Sequence, residues 1–344
     1  MTGLGRPLAP ARASSDHAAM PTIFSCVRAA LGFSLAFSAA MLCGPVRLPA
    51  QQAKQPANSD EMWVAAVPDS LPAGVTHHTY KSAAMQREVG YCIYLPPGYA
   101  ADATRRYPAI YHLHGAGGNE TRTLYSAEVL HRGILAKRWP EMIMVFPNGG
   151  RATMYQDSAD GRFLAETTVI KELIPHIDQT YRTIAAREGR CIEGFSMGGR
   201  GSTHLALKYP ELFCSLFNQA GNVYHTSEMA TAVKPTEWPL NYLGNDADRL
   251  QANDSYVSLE KNLSRIKDKL RIQIACGTAD DGHIVTVREF HRALLKSGVD
   301  HTYIEIEGLA HHQRKMIDLY APVWFDYHVE SLRWAAASQA VGLK

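Results

Sequence analysis

Ser196 stands in Gly194-Phe195-Ser196-Met197-Gly198-Gly199, after the apolar run Arg190-Cys191-Ile192-Glu193 and before a helix-compatible run over 201–208. A serine between a strand and a helix, with glycine two positions to either side, is the sequence form of a nucleophile elbow. The turn is so tight that a Cβ at either flank would collide with the neighbouring strand or helix, so glycine is needed there. The chemistry on offer is attack on an acyl carbon by an exposed hydroxyl.

A serine hydroxyl is a weak nucleophile until a base takes its proton and an acid orients that base. In the matching fold the chain order is serine, then Asp or Glu, then His. The run 270–276 leads into Gly277-Thr278-Ala279-Asp280-Asp281, and the run 302–306 leads into Gly308-Leu309-Ala310-His311-His312. Asp280 and His311 are the expected acid and base, with Asp281 and His312 as their alternatives. His283 lies close to the acid but has no strand end to hold it as a base. Negative charge on a tetrahedral intermediate needs main-chain N–H groups already aimed at it. Met197, next after the serine, is one expected donor. The second comes from His114-Gly115-Ala116-Gly117-Gly118, where Ala116 leads and Gly117 follows. This glycine-rich loop lacks the Gly-Lys-Ser/Thr ending and the G-x-G-x-x-G spacing of phosphate cradles.

The elements around these residues alternate. Runs 75–81 and 87–95 read as a strand hairpin, and 109–114 and 141–146 as buried strands around a helix over 127–137. A helix over 167–181 precedes the elbow strand. Further strands follow over 212–218, 270–276 and 302–306, with helices over 285–296 and 319–333. Strand–helix alternation predicts an α/β fold with a mostly parallel sheet covered on both faces. Residues 221–262 break the rhythm and read as an excursion over the site.

The chain has 344 residues, 46% hydrophobic and 20% charged, which suits one large globular domain. Its formal charge is +2, but residues 1–50 hold four of the 35 basic residues and one of the 33 acidic ones. The remainder therefore carries 31 basic and 32 acidic residues, and no basic run points to nucleic acid. Arg6, Arg12 and Arg28 followed by the uncharged stretch 29–42 read as a secretory leader over 1–50. The stretch is shorter than the roughly 20 residues of a spanning helix. A secreted or periplasmic protein without stable membrane insertion is expected, with an uncleaved anchor as the alternative. Residues 51–73 read as a linker, 74–335 as the catalytic domain and 336–344 as a tail. Cys92, Cys191, Cys214 and Cys276 lie in apolar strand-like runs, which favours buried thiols. No Cys/His ladder indicates a metal.

The motifs together resemble the esterase D-like family of α/β-hydrolases, which includes feruloyl esterases, S-formylglutathione hydrolases, tributyrin esterases and mycolyltransferases. The resemblance runs over 91–334. It rests on Leu95-Pro96-Pro97-Gly98-Tyr99, the 114–118 loop, Glu172-Leu173-Ile174-Pro175-His176-Ile177-Asp178, the elbow, Tyr209-Pro210-Glu211-Leu212-Phe213 and the two turns bearing Asp280 and His311. It implies an α/β-hydrolase fold and cofactor-free, metal-free hydrolysis of carboxylic esters. Ser196 would be nucleophile, Asp280 acid and His311 base, with Ala116 and Met197 as oxyanion donors. Tyr155-Gln156-Asp157 resembles a substrate-loop position of the family; with Gly117 and Trp238, Tyr155 and Asp157 are the expected substrate contacts. Where the family pattern carries Asp or Asn followed by Trp after its histidine, this chain carries His312-Gln313. The cysteine-containing oxyanion loop of S-formylglutathione hydrolases is absent. The expected substrate is a small or polysaccharide-linked ester with a feruloyl, acetyl or short acyl group. Acyl transfer of the mycolyltransferase type and a silent binding domain are the alternatives.

Overall fold

The computed structural model describes residues 63–342. The leader and the stretch 51–62 lie outside the described residues. The chain runs β1 (Val75–Ser82), β2 (Arg87–Tyr94), β3 (Ala109–Leu113), α1 (Tyr125–Leu135), β4 (Ile143–Pro147), α2 (Ala165–Thr167) and α3 (Ile174–Thr180). It continues through β5 (Arg190–Phe195), α4 (Met197–Lys208), β6 (Ser215–Gln219), α5 (Thr226–Ala232), α6 (Leu240–Leu243), α7 (Ala247–Ala252), α8 (Ser255–Lys261) and α9 (Leu263–Ile266). It closes with β7 (Arg271–Gly277), α10 (Ile284–Lys296), β8 (His301–Ile306) and α11 (Gln313–Gly342).

The strands form one eight-stranded sheet in the order β1-β2-β4-β3-β5-β6-β7-β8. β1 pairs antiparallel with β2, and β2 with β4; every later pairing is parallel. Strands covered on both faces need apolar residues throughout, and β3, β4 and β5 are buried along their whole length. In β6 the alternation of side chains decides which helix each one meets. Ser215 bonds His328 at 2.8 Å and Phe217 stacks near Trp324, both on α11. Asn218 points the other way and donates to Thr203 of α4 at 2.9 Å. α4 and α11 therefore cover opposite faces.

Several boundaries differ from the sequence reading. Trp63 is completely buried, stacks near Phe163 and offers its carbonyl to the Gly90 N–H at 2.7 Å. The Ala65 N–H donates to Glu120 at 2.8 Å. Trp63 and Ala65 are thus anchored on the packed domain, while residues 66–70, within the expected linker, are exposed. The tail also folds: α11 begins at Gln313 and runs to Gly342, with Ala335 buried. The expected helix over 167–181 is instead a short α-turn, a wide π-helical stretch over Thr168–Leu173, and then α3. Pro175 explains the widening, because it has no N–H to give the carbonyl four residues back. The excursion 221–262 is built of the short helices α5–α8, of which α8 packs on α4.

Candidate active site

β5 ends at Phe195 and α4 begins at Met197, so Ser196 alone makes the turn. Its dihedrals, φ 58° and ψ −119°, lie in a region that side chains rarely occupy. The strain is held by its N–H, which donates to the Gln219 carbonyl at 2.9 Å, and by its carbonyl, which receives the Arg200 N–H at 2.9 Å. A Cβ on Gly194 would come within 2.5 Å of the Gly198 main chain, and one on Gly198 would strike the Leu113 carbonyl. Elbow, β3 and α4 are thus in contact at main-chain level.

The loops after β7 and β8 are tied to each other. Thr278 N–H donates to Ile306 O at 3.0 Å, Ala279 N–H to Leu309 O at 3.2 Å, and Gly308 N–H to the Thr278 hydroxyl at 2.8 Å. This lacing sets Asp280 against His311. His311 Nε2 lies 2.8 Å from Ser196 Oγ, and His311 Nδ1 lies 2.6 Å from Asp280 Oδ2. Asp280 is buried. Asp281 is exposed, and His312 faces the cleft mouth, receiving the Lys315 N–H on Nδ1. The structure brings together Ser196, His311 and Asp280, and neither neighbour replaces its partner.

His283 completes the arrangement. Its Nδ1 lies 2.8 Å from Asp280 Oδ1, the oxygen that His311 leaves free. Its ring stacks on His311 with centroids 4.1 Å apart and planes within 6°. Burial keeps His283 below its ordinary pKa despite the Asp280 hydrogen bond, and a charged His311 pushes the same way. A neutral ring can present only one N–H, and the contact to a carboxylate fixes it on Nδ1. Cys276 Sγ lies 3.9 Å from Asp280 Oδ2; burial, reinforced by the carboxylate, pushes this thiol up to about 12. Asp280, His283 and His311 offer ligand atoms within 4.8 Å of one another. Their 2.6 and 2.8 Å contacts are hydrogen-bond spacings, tighter than the about 3.3 Å between two ligands on tetrahedral zinc.

The 114–118 loop approaches from β3. Among the described residues, neither the Ala116 nor the Met197 N–H donates to a main-chain carbonyl. Gly117 is different: its N–H donates to Arg151 O at 2.6 Å, which removes it as an oxyanion donor. The Gly115 carbonyl accepts from the Gly118 N–H at 3.1 Å and from His114 Nδ1 at 2.9 Å. That carbonyl and the Ala116 N–H belong to one planar, trans peptide, so holding the oxygen aims the N–H the opposite way. Full burial pushes His114 down to about 4, and its neutral Nε2 accepts from the Gly149 N–H at 3.1 Å.

A cleft of about 670 Å³ opens over Ser196. Its walls include Ala116, Arg122, Tyr125, Phe195, His312 and Arg314. Gly117, Tyr155, Asp157 and Trp238, expected as substrate contacts, are not among the residues that line it. The Tyr155 ring is fully buried, filling the space beside Gly149 and Gly201 and bonding His114 O at 3.3 Å. Asp157 is tied to Thr167 by two hydrogen bonds. Trp238 lies under the Arg200 guanidinium, 3.8 Å from its ring centroid. None of the residues that line the cleft comes from the excursion. Sequence reasoning missed Arg122, Tyr125 and Arg314, and saw His283 only as a failed base.

An elbow serine on an eight-stranded, mostly parallel sheet defines an α/β-hydrolase. The chain belongs to the family described as "Putative esterase", whose model matches residues 82–317. An esterase of Mycobacterium tuberculosis is 27% identical over 257 residues, covering 67% of this chain and 54% of that protein. An endo-1,4-beta-xylanase/feruloyl esterase of Xylanibacter ruminicola is 31% identical over 145 residues, covering 40% and 20%. The chain spans about half the length, or less, of these curated relatives. Among solved structures, a ferulic acid esterase gives a TM-score of 0.63 at 21% identity, covering 75% of this chain and 97% of that one. A fluorophosphonate-binding serine hydrolase of Staphylococcus aureus gives 0.62 at 18% identity, covering 74% and 98%. At these identities the likeness is one of fold.

Proposed function

We propose that the chain is a serine esterase that works through an acyl-enzyme on Ser196. The observation that carries this is the 2.8 Å contact between Ser196 Oγ and His311 Nε2, with Asp280 behind the imidazole at 2.6 Å. Ser196 Oγ bonds to the acyl carbon while its proton passes to His311 Nε2. Asp280 keeps the other proton on Nδ1 and stabilises the imidazolium. The oxygen of the former carbonyl takes the charge, received by the Ala116 and Met197 N–H groups. The tetrahedral adduct collapses, the alcohol leaves with the His311 proton, and water repeats the sequence to release the acid. Every proton in the cycle moves on His311, so the chain's own groups balance it.

Feruloyl, acetyl or short acyl esters, free or on polysaccharide, are the substrates this reading favours. A feruloyl esterase among the relatives and an acetyl esterase of Caldicellulosiruptor saccharolyticus, 26% identical over 210 residues, support it. The charge pattern of residues 1–50 supports secretion or a periplasmic place. Hydrolysis of p-nitrophenyl acetate by the wild type and by Ser196→Ala tests the central step. The variant should fold with an unchanged circular dichroism spectrum and lose at least 10⁴-fold in kcat. A variant within tenfold of the wild type contradicts the assignment.

A further inference from the structure

Resting on the esterase reading, we propose that the cleft beside Ser196 selects esters that carry a carboxylate, held by Arg122 and Arg314. Both guanidiniums line the same cleft as the serine, and no Asp or Glu lines it. Arg122 is exposed and, among the described residues, has no acidic partner within ion-pair distance. Arg314 is held differently. Its guanidinium lies 3.2 Å from the centre of the Tyr125 ring, and its Nε donates to Asp318 at 3.3 Å. Tyr125 is itself fixed, giving its hydroxyl to the same Asp318 oxygen at 2.6 Å. Asp318 therefore engages only the inner nitrogen of Arg314. The two terminal nitrogens have no hydrogen-bond partner among the described residues.

A guanidinium stacked on an aromatic ring has already lost much of its rotational freedom, so less is lost when it grips a ligand. Its planar pair of terminal N–H donors matches the two oxygens of a carboxylate. Asp318 is ion-paired with Arg314 and offsets part of its charge, so Arg122 is the fuller cation; positive charge on the wall of a cleft focuses its field and raises the local concentration of an anion. His312-Gln313, the departure from the family pattern, leads directly into Arg314, so cleft character and sequence departure coincide. The anionic group can sit on the acyl part or on the alcohol part of the ester. Succinyl and glutaryl esters exemplify the first, and esters of hydroxy acids or uronates the second.

Two matched pairs separate these cases. p-Nitrophenyl hemisuccinate against p-nitrophenyl butyrate probes the acyl side. 4-Acetoxybenzoate against 4-acetoxybenzamide probes the alcohol side. The wild type should favour the anionic member of at least one pair by tenfold or more in kcat/KM at low ionic strength. That ratio should fall at least threefold in 0.5 M NaCl, because exposed charges are screened. It should also fall towards one when Arg122→Met and Arg314→Met are combined, a change that removes the guanidinium charge and keeps an unbranched apolar stem. Equal or better turnover of the neutral member in both pairs overturns the proposal and leaves the esterase reading standing. A preference that survives salt and the double substitution overturns it too. Hydrolysis of none of the four esters overturns the esterase reading itself, and the proposal with it.

Discussion

Asp280 receives hydrogen bonds on both carboxylate oxygens, from His311 on one and His283 on the other. Losing a hydrogen bond to a charged group costs about 1.5–3 kcal/mol, which is about 10- to 100-fold in a rate that depends on it. His283→Ala should therefore lower kcat by about 10-fold or more with little change in KM, since His283 does not line the cleft. His283→Asn should recover most of the loss, because the amide Nδ2 occupies the place of the imidazole Nδ1. Equal losses in the two variants would point to packing alone as the role of His283. Asp280 and His311 were legible because each follows a strand, glycine and a turn in the chain order a serine requires. His283 was not, since which oxygen of Asp280 remains free is a matter of side-chain orientation with no trace in spacing. Tyr155 misled for a related reason: an aromatic after a strand reads the same whether it lines a cleft or fills the gap beside two glycines.

At the level of strands and helices the sequence carried more. Each parallel strand announced itself as a short apolar run closed by a turn, and observed ends differ by up to three residues. The order of strands in the sheet follows from right-handed crossovers rather than from any one residue. The stretch before β1 was the clearest miss. Its prolines, alanines and polar residues read as a linker, yet Trp63 inserts fully, where a Cβ on Gly150 would meet it. One anchoring side chain is too little to shift a composition-based reading. Trp63→Ala should cost about 3–5 kcal/mol, as for other buried aromatics, and lower the urea midpoint accordingly. A stability unchanged within about 0.5 kcal/mol would show that Trp63 anchors nothing. In the excursion, α8 lies on α4 and Trp238 stacks on Arg200, and no residue of it lines the cleft.

Across the entire domain, buried titratable groups set the response to acid. His114 falls from 6.5 to about 4 in the folded chain because it is fully buried. Between these values the unfolded chain binds the proton and the folded chain does not, so stability rises with pH and is lost as pH falls through the window. The loss reaches about 3 kcal/mol by pH 4, from about 1.4 kcal/mol per unit. Glu193 acts lower down. Burial opposes its charge, but hydrogen bonds from His112 and His328 hold it at about 2, below its ordinary 4.5. Its stabilisation is present above 4.5 and disappears on the way to 2. Urea midpoints taken from pH 7 to pH 4 should therefore decline steadily, and His114→Asn should flatten that slope; an unchanged slope would show that the His114 site accepts a proton. His114 follows β3 into the loop that carries Ala116, and Glu193 lies in β5, which leads to Ser196. The acyl-enzyme is the most direct test of that serine. Mixing excess enzyme with p-nitrophenyl acetate, quenching in acid within milliseconds and mapping the peptide masses should show a 42 Da increment on Ser196, absent from Ser196→Ala. An increment elsewhere, or p-nitrophenol release with Ser196 unmodified at every quench time, would contradict the account.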